Sequence, residues 1–152
     1  DIRNNGGGSS SVGDFIAQHL IKGKRTIWDG TTLSPSPDSY KGKVIVLAGP
    51  VTVSAAESFL ITMKESGDAV VVGTPSAGDT GGNPRLFKTT YGMYYWVPIG
   101  HPFKYSPKGF PLEGAGIKPH HLVPMKVDDF LTGKDMNYLA TMKRNPMVSN
   151  VV

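Results

Sequence analysis

Two unbroken apolar runs separated by one helical stripe limit this chain more than any other feature of its sequence. Val44-Ile45-Val46-Leu47-Ala48 lies between Lys43 and Gly49-Pro50, and Ala69-Val70-Val71-Val72 ends at Gly73. Short runs rich in β-branched residues and lacking polar alternation suit strands buried on both faces of a sheet. Between them, Ser54 to Glu65 carries Ala56, Phe59, Leu60 and Met63 on one stripe, and Gly67 follows as a stop. A strand, a helix and a second buried strand imply a right-handed crossover and a largely parallel core.

The flanks fill in the rest of an α/β domain. Asp1-Ile2-Arg3 reads as a strand end running into the loop Asn4 to Ser10. Ser11 is expected as an N-cap, with Asp14 three residues on, before a stripe of Val12, Phe15, Ile16 and Leu20 that stops near Gly23. Arg25 to Trp28 is a short strand candidate, and Thr31 to Ser39, with Pro35 and Pro37, a loop. Leu86 to Thr90 and Met93 to Pro98 alternate and carry aromatics about Tyr91-Gly92, the pattern of a β-hairpin. Pro102 to Pro119 is a Pro/Gly-punctuated loop, and Leu122-Val123 offers one more short strand. Val127 to Leu131 and Asp135 to Arg144 are helical by pattern, with Met136, Leu139, Ala140 and Lys143 on one face. One domain over 1–145 and a frayed tail over 146–152 are expected.

Composition removes several function classes. With no cysteine among 152 residues there is no disulfide scaffold, thiol catalysis or cysteine-ligated zinc. The compartment stays open on that count. A net charge of +4 without any Lys/Arg block gives no reason to expect nucleic-acid binding. Between Thr80 and Leu112 there are four cations (Arg85, Lys88, Lys104, Lys108) and no acid. That stretch is either a solvated face or a surface that meets acidic groups such as a peptide carboxylate. No apolar run reaches the length of a membrane span. The chain opens at Asp1, without Met or a signal peptide and in mid-motif, so a boundary rather than a native start is expected there.

Three loops at strand ends carry residue types suited to chemistry. Asn5-Gly6-Gly7-Gly8 allows close backbone approach and presents N–H groups, although the same residues would serve as a flexible turn. It lacks the Gly-Lys-Ser/Thr ending of a phosphate loop. Ser54-Ala55-Ala56-Glu57 opens a helix after a buried strand. A serine there sits at the positive end of the helix dipole, beside a free N–H, which acyl transfer can use for nucleophile and oxyanion donor. Ser-x-x-Glu is equally the capping-box pattern, so Ser54 and Glu57 could simply finish the helix. The Gly-x-Ser-x-Gly elbow of α/β-hydrolases is absent. In the third loop, Glu113 lies in Leu112-Glu113-Gly114-Ala115-Gly116-Ile117-Lys118-Pro119, as a turn residue or a catalytic carboxylate.

In this order the loops resemble the catalytic domain of the S41 peptidases, the carboxyl-terminal processing and tricorn-core-type serine proteases. The matching segments are Asp1-Ile2-Arg3-Asn4-Asn5-Gly6-Gly7-Gly8, Ser54-Ala55-Ala56-Glu57, Val71-Val72-Gly73, Tyr105-Ser106-Pro107-Lys108-Gly109 and Gly114-Ala115-Gly116-Ile117-Lys118-Pro119-His120. The resemblance runs from residue 1 to about 144. It implies a ClpP/crotonase-like core with crossover helices and an added β-hairpin. It further implies endopeptidase chemistry on polypeptides with neither metal nor organic cofactor, and a location in the cell envelope, periplasm or outside the cell. Ser54 matches the nucleophile, and the N–H groups of Ala55 and Gly7 match the oxyanion donors.

The resemblance breaks at the general base. In the Ser–Lys branch the lysine follows the Val-Val-Gly strand, but Asp79 stands there. A carboxylate with an ordinary pKa of about 4 is a poor base for a serine hydroxyl. The Ser–His–Glu branch places its glutamate where Glu113 lies, and its histidine upstream of the Asn-Asn-Gly-Gly loop, before residue 1. None of the four histidines present replaces it convincingly. His19 belongs to the first helix, His101 to the loop leaving the hairpin, and His120-His121 would need further ligands to hold a metal. The expected function is therefore an S41-type serine endopeptidase whose base comes from missing upstream sequence, leaving this stretch inactive alone. Its rivals are a peptide-binding or scaffolding homologue that lost the base, and a crotonase-like acyl-CoA enzyme, which would have no use for the Ser-x-x-Glu segment.

Overall fold

The structure, a computed structural model, describes residues 1–82, 84–100 and 102–144. The expected tail at 146–152 and His101 lie outside the described residues. Strand β3 (Val44–Ala48) pairs in parallel with β4 (Ala69–Gly73), from Val44↔Ala69 to Ala48↔Gly73. On its other edge β4 pairs in parallel with β7 (His121–Leu122), giving the order β3-β4-β7. The two apolar runs are thus the buried strands that their composition predicts, joined through α2 (Ala55–Glu65). Leu60, Met63 and Val71 are fully buried, and with Val46, Ala48, Ile61, Leu112 and Ile117 they form the core. Gly73 has φ 133°, and a Cβ there would lie 2.0 Å from the Ala48 carbonyl oxygen. Glycine is forced where the two strands part toward the site.

Helix α1 (Ser10–Gln18) begins earlier than expected, with Ser9 rather than Ser11 as N-cap. Asp14 does not complete a capping box but accepts Trp28 Nε1–H at 3.1 Å. The expected buried stripe is also corrected: Val12, Phe15 and Ile16 are exposed, while Ala17 and Ile21 are completely buried. A Cβ at Gly13 would lie 3.2 Å from the Phe59 Cβ, so α1 meets α2 through its smallest side chains. Close approach through Gly13 and Ala17 turns the bulkier residues outward.

A second correction concerns the stretch 31–39. There β2 (Thr32–Leu33) pairs antiparallel with β1 (Arg25–Thr26). Asp29-Gly30 makes the turn, with Gly30 at φ 85° and the Ile27 N–H donating to the Thr31 carbonyl. Strands β5 (Pro84–Lys88) and β6 (Tyr94–Pro98) form the expected hairpin. Helices α3 (Val127–Leu131) and α4 (Met136–Arg144) follow β7.

His120 fastens β7 to the sheet. Its Nδ1 accepts the Val71 N–H at 2.9 Å, and its own N–H donates to the Val71 carbonyl at 2.9 Å. Desolvation, then Lys64 and then His121, holds the imidazole below its ordinary pKa. The folded state therefore favours the neutral ring. Its contribution is complete above the unfolded value and is lost as pH falls through the folded one. Urea unfolding should show stability falling as pH drops below the ordinary histidine value of about 6.5. His120→Asn, which keeps an acceptor at the same position, should flatten that slope.

Candidate active site

The site is built at the carboxyl ends of the parallel strands, the usual place for a cleft in an open α/β sheet. The chain leaving β3 turns at Gly49-Pro50 and reaches Ser54 just ahead of α2. Ser54 has φ 58° and ψ −123°, the one positive φ among the described non-glycine residues. Such a conformation costs about 1–3 kcal/mol and persists only where its surroundings impose it.

What imposes it is Glu57. This carboxylate is 1% exposed and accepts four hydrogen bonds. Oε1 receives the Ser76 hydroxyl at 2.6 Å and the Gly78 N–H at 2.8 Å. Oε2 receives the N–H groups of Ser54 at 3.0 Å and Asp79 at 3.1 Å. The Ser54 N–H is shared with the Asp79 carbonyl at 3.1 Å. One buried side chain thus holds residue 54 and the loop after β4 against each other.

The sequence left open whether Ser54 and Glu57 only cap α2. The capping-box arrangement is present: Glu57 Oε2 accepts the Ser54 N–H at 3.0 Å, and the Glu57 N–H, bonded to the Ser54 carbonyl at 2.8 Å, faces the Ser54 side chain. Ser54 is half-buried.

The glycine loop packs directly on this serine. A Cβ at Gly7 (φ 94°) would fall 2.8 Å from both the Ser54 Cβ and the Val53 carbonyl oxygen, and 3.2 Å from the Ala55 nitrogen. The Val53 N–H donates to the Asn5 carbonyl at 3.1 Å. Thr52, fully buried, donates its hydroxyl to the Ile2 carbonyl at 2.8 Å and accepts the Gly49 N–H at 3.0 Å. Of the two amides expected as oxyanion donors, that of Ala55 has no acceptor among the described residues. That of Gly7 donates to Asn5 Oδ1 at 2.9 Å.

Glu113 reaches the same end of the sheet through the Ser76 segment. Ser76 Oγ accepts the Ile117 N–H at 2.7 Å, and the Gly114 N–H donates to the Gly78 carbonyl at 2.7 Å. Glu113 Oε2 accepts the N–H and hydroxyl of Thr80, at 2.8 and 2.5 Å. Gly7 and Ala55 therefore adjoin Ser54, whose N–H meets the Asp79 carbonyl, and Glu113 bonds the next residue, Thr80. Asp79 itself is exposed, its backbone on Ser54 and Glu57. Sequence reading missed Glu57 as the organiser, with Thr52, Ser76 and Thr80; the only signal for any of them was the Ser-x-x-Glu pattern.

The described histidines lie elsewhere. His19 Nδ1 is 2.9 Å from the Phe15 carbonyl oxygen and its Nε2 3.9 Å from Asp38. His120 is bonded to Val71, and His121 is in β7 opposite Val72. Beside the glycine loop a cleft of about 490 Å³ is lined by Asn4, Val51, Val123, Met125, Phe130 and Met136. At its rim Arg3 bridges Asp1 and Asp135, at 2.6 and 2.7 Å.

A strand-to-helix serine under backbone strain, with a glycine loop on its face, thus lies at the carboxyl ends of the parallel strands of an α/β fold. The family profile of peptidase family S41 matches residues 1–123, and the chain belongs to that family. Among solved structures it is similar to a candidate peptidase from Parabacteroides merdae, at 24% identity and a TM-score of 0.76, covering 93% of this chain and 49% of that one. It is similar to the tricorn protease at 24% identity and a TM-score of 0.72, covering 95% and 14% respectively. It is also similar to the photosystem II D1 C-terminal processing protease, at 24% identity and a TM-score of 0.59, covering 81% and 33%. The chain thus spans about half the length of the first of these and less of the others. No curated protein matches.

Every neighbour of the Glu57 carboxylate is a donor, so Glu57→Gln must turn an amide NH2 toward two of them. The substitution should lower the unfolding free energy by about 1–3 kcal/mol in urea titration.

Proposed function

We propose that this chain is the catalytic core of a serine endopeptidase acting on polypeptides. Ser54 Oγ would attack the scissile carbonyl carbon, forming the C–O bond as its proton passes to a base. The resulting oxyanion would lie between the N–H groups of Ala55 and Gly7. Collapse breaks the C–N bond, the amine leaves with the base's proton, and water hydrolyses the acyl-serine. The observation that carries this reading is Ser54 itself: held at φ 58° at the start of a helix, with Gly7 packed against it and the Ala55 N–H beside it.

Gly7 enters with a condition. Asn5 Oδ1 occupies its N–H, so a substrate oxygen would take over that hydrogen bond. The base is proposed to be a histidine from polypeptide outside these 152 residues, oriented by Glu113. Membership of a peptidase family and the absence of any described histidine against Ser54 support that choice. The apolar cleft beside the glycine loop would take a substrate side chain. A location in the cell envelope or outside the cell remains part of the same proposal.

A second reading, a peptide-binding homologue without turnover, is favoured by one observation. Asp79 stands at the chain position where the Ser–Lys branch would carry its lysine, and its main-chain carbonyl accepts the Ser54 N–H.

The full-length protein should hydrolyse peptides and take up a serine-directed fluorophosphonate at Ser54. Ser54→Ala should abolish labelling and lower kcat by at least roughly 10³-fold. Unchanged hydrolysis in that variant would remove the proposal, and tight peptide binding with no labelling would establish the second reading. This 152-residue chain alone should remain unlabelled.

A further inference from the structure

Strands β5 and β6 project from the site loop as a two-stranded ribbon with every residue exposed. The register Lys88↔Tyr94, Leu86↔Trp96 and Pro84↔Pro98 puts those six residues on one face. Arg85↔Val97 and Phe87↔Tyr95 occupy the other. Both faces are apolar: Leu86, Tyr94 and Trp96 are 45, 61 and 65% exposed on one, and Phe87, Tyr95 and Val97 are 36, 48 and 37% exposed on the other. A hairpin facing water would be polar on at least one side, and an isolated ribbon is marginally stable alone. Among the described residues no other strand pairs with either outer edge.

Those edges are open hydrogen-bonding templates. The Thr89 N–H donates to the Met93 carbonyl at 2.8 Å. By antiparallel alternation Phe87–Tyr95 and Arg85–Val97 are the bonded pairs, so the amides of Leu86, Lys88, Tyr94 and Trp96 point outward. The electrostatics are one-sided. The stretch from Thr80 to Leu112 has four cations and no acid, and no described carboxylate pairs with any of them. Arg85 lies over the Phe87 ring and Lys88 over the Tyr94 ring, at 5.8 and 5.3 Å. A second copy of the hairpin laid edge to edge would face cation with cation, whereas an acidic strand would be complementary.

We propose that the β5–β6 ribbon is a docking arm for an extended acidic polypeptide segment, which adds to a free edge as a third strand. The arm is rooted where Thr80 bonds Glu113, with the Phe103 carbonyl 3.2 Å from the Thr80 hydroxyl and the Gly100 N–H on the Gly82 carbonyl. Thr80 adjoins Asp79, whose carbonyl accepts the Ser54 N–H, so the root of the arm adjoins the proposed nucleophile. The docking itself needs no chemistry at Ser54 and stands or falls separately from it.

The test uses the full-length protein carrying Ser54→Ala and a fluorescein-labelled peptide of alternating Glu and Val. Its controls are a Lys/Val peptide of equal length and a Glu/Val peptide N-methylated at alternate residues. The acidic peptide should bind, weaken with added salt, and weaken by roughly tenfold in Arg85→Glu/Lys88→Glu. It should also slow hydrogen exchange at Leu86 and Lys88 or at Tyr94 and Trp96. Circular dichroism identical to the parent would show that the exposed double substitution leaves the fold intact. Equal binding of the Lys/Val or N-methylated peptide, or no binding, would overturn the proposal. So would those amides being already protected in the free protein, whether by its own chain or by a second copy in sedimentation.

Discussion

The whole site hangs on the burial of one carboxylate. Taking a carboxylate out of water is tolerable only if its oxygens are fully satisfied, and Glu57 reaches that state with one hydroxyl and three main-chain N–H groups. The donors belong to the start of α2 and to the loop after β4, segments about twenty residues apart in the chain. Neither can relax without leaving part of the carboxylate bare. Ser76, one of those donors, also accepts the Ile117 N–H, which brings the Glu113 segment into the same arrangement.

That anchorage explains how a strained residue survives at position 54. The Ser54 N–H is held by Glu57 and by the Asp79 carbonyl, and Gly7 closes against its Cβ where no other side chain would fit. The glycine loop is located in turn by Thr52, whose buried hydroxyl bonds the Ile2 carbonyl, and by Val53 on Asn5. Backbone strain is sustained by contacts made between strand ends, not by the local sequence.

Much of the scaffold was legible because its signals are local. Val44–Ala48 and Ala69–Gly73 are pure apolar runs flanked by breakers, and burial on both faces is the one setting that suits them. The ribbon at 84–98 followed from alternation about Tyr91-Gly92. Helix α1 was misread in its buried face because hydrophobic periodicity counts large residues. Its packing is decided by small ones, Gly13 and Ala17, meeting α2. Strand β2 was missed although Asp29-Gly30 marks its turn, since two residues give no period to detect. In the site, Ser54, Ala55, Gly7 and Glu113 were found as motifs. Glu57 was visible only as half of a capping box.

The sequence alone determined the βαβ core, the glycine loop, the helix-opening serine and the surplus of cations over 80–112, because each is written in neighbouring residues. Only the tertiary structure decided that Glu57 is an organiser as well as a cap, that Asn5 holds the Gly7 amide, and that no other described strand pairs with the ribbon. Those outcomes depend on which distant groups meet a buried charge or a sheet edge, and pairings across dozens of residues leave no periodicity along the chain.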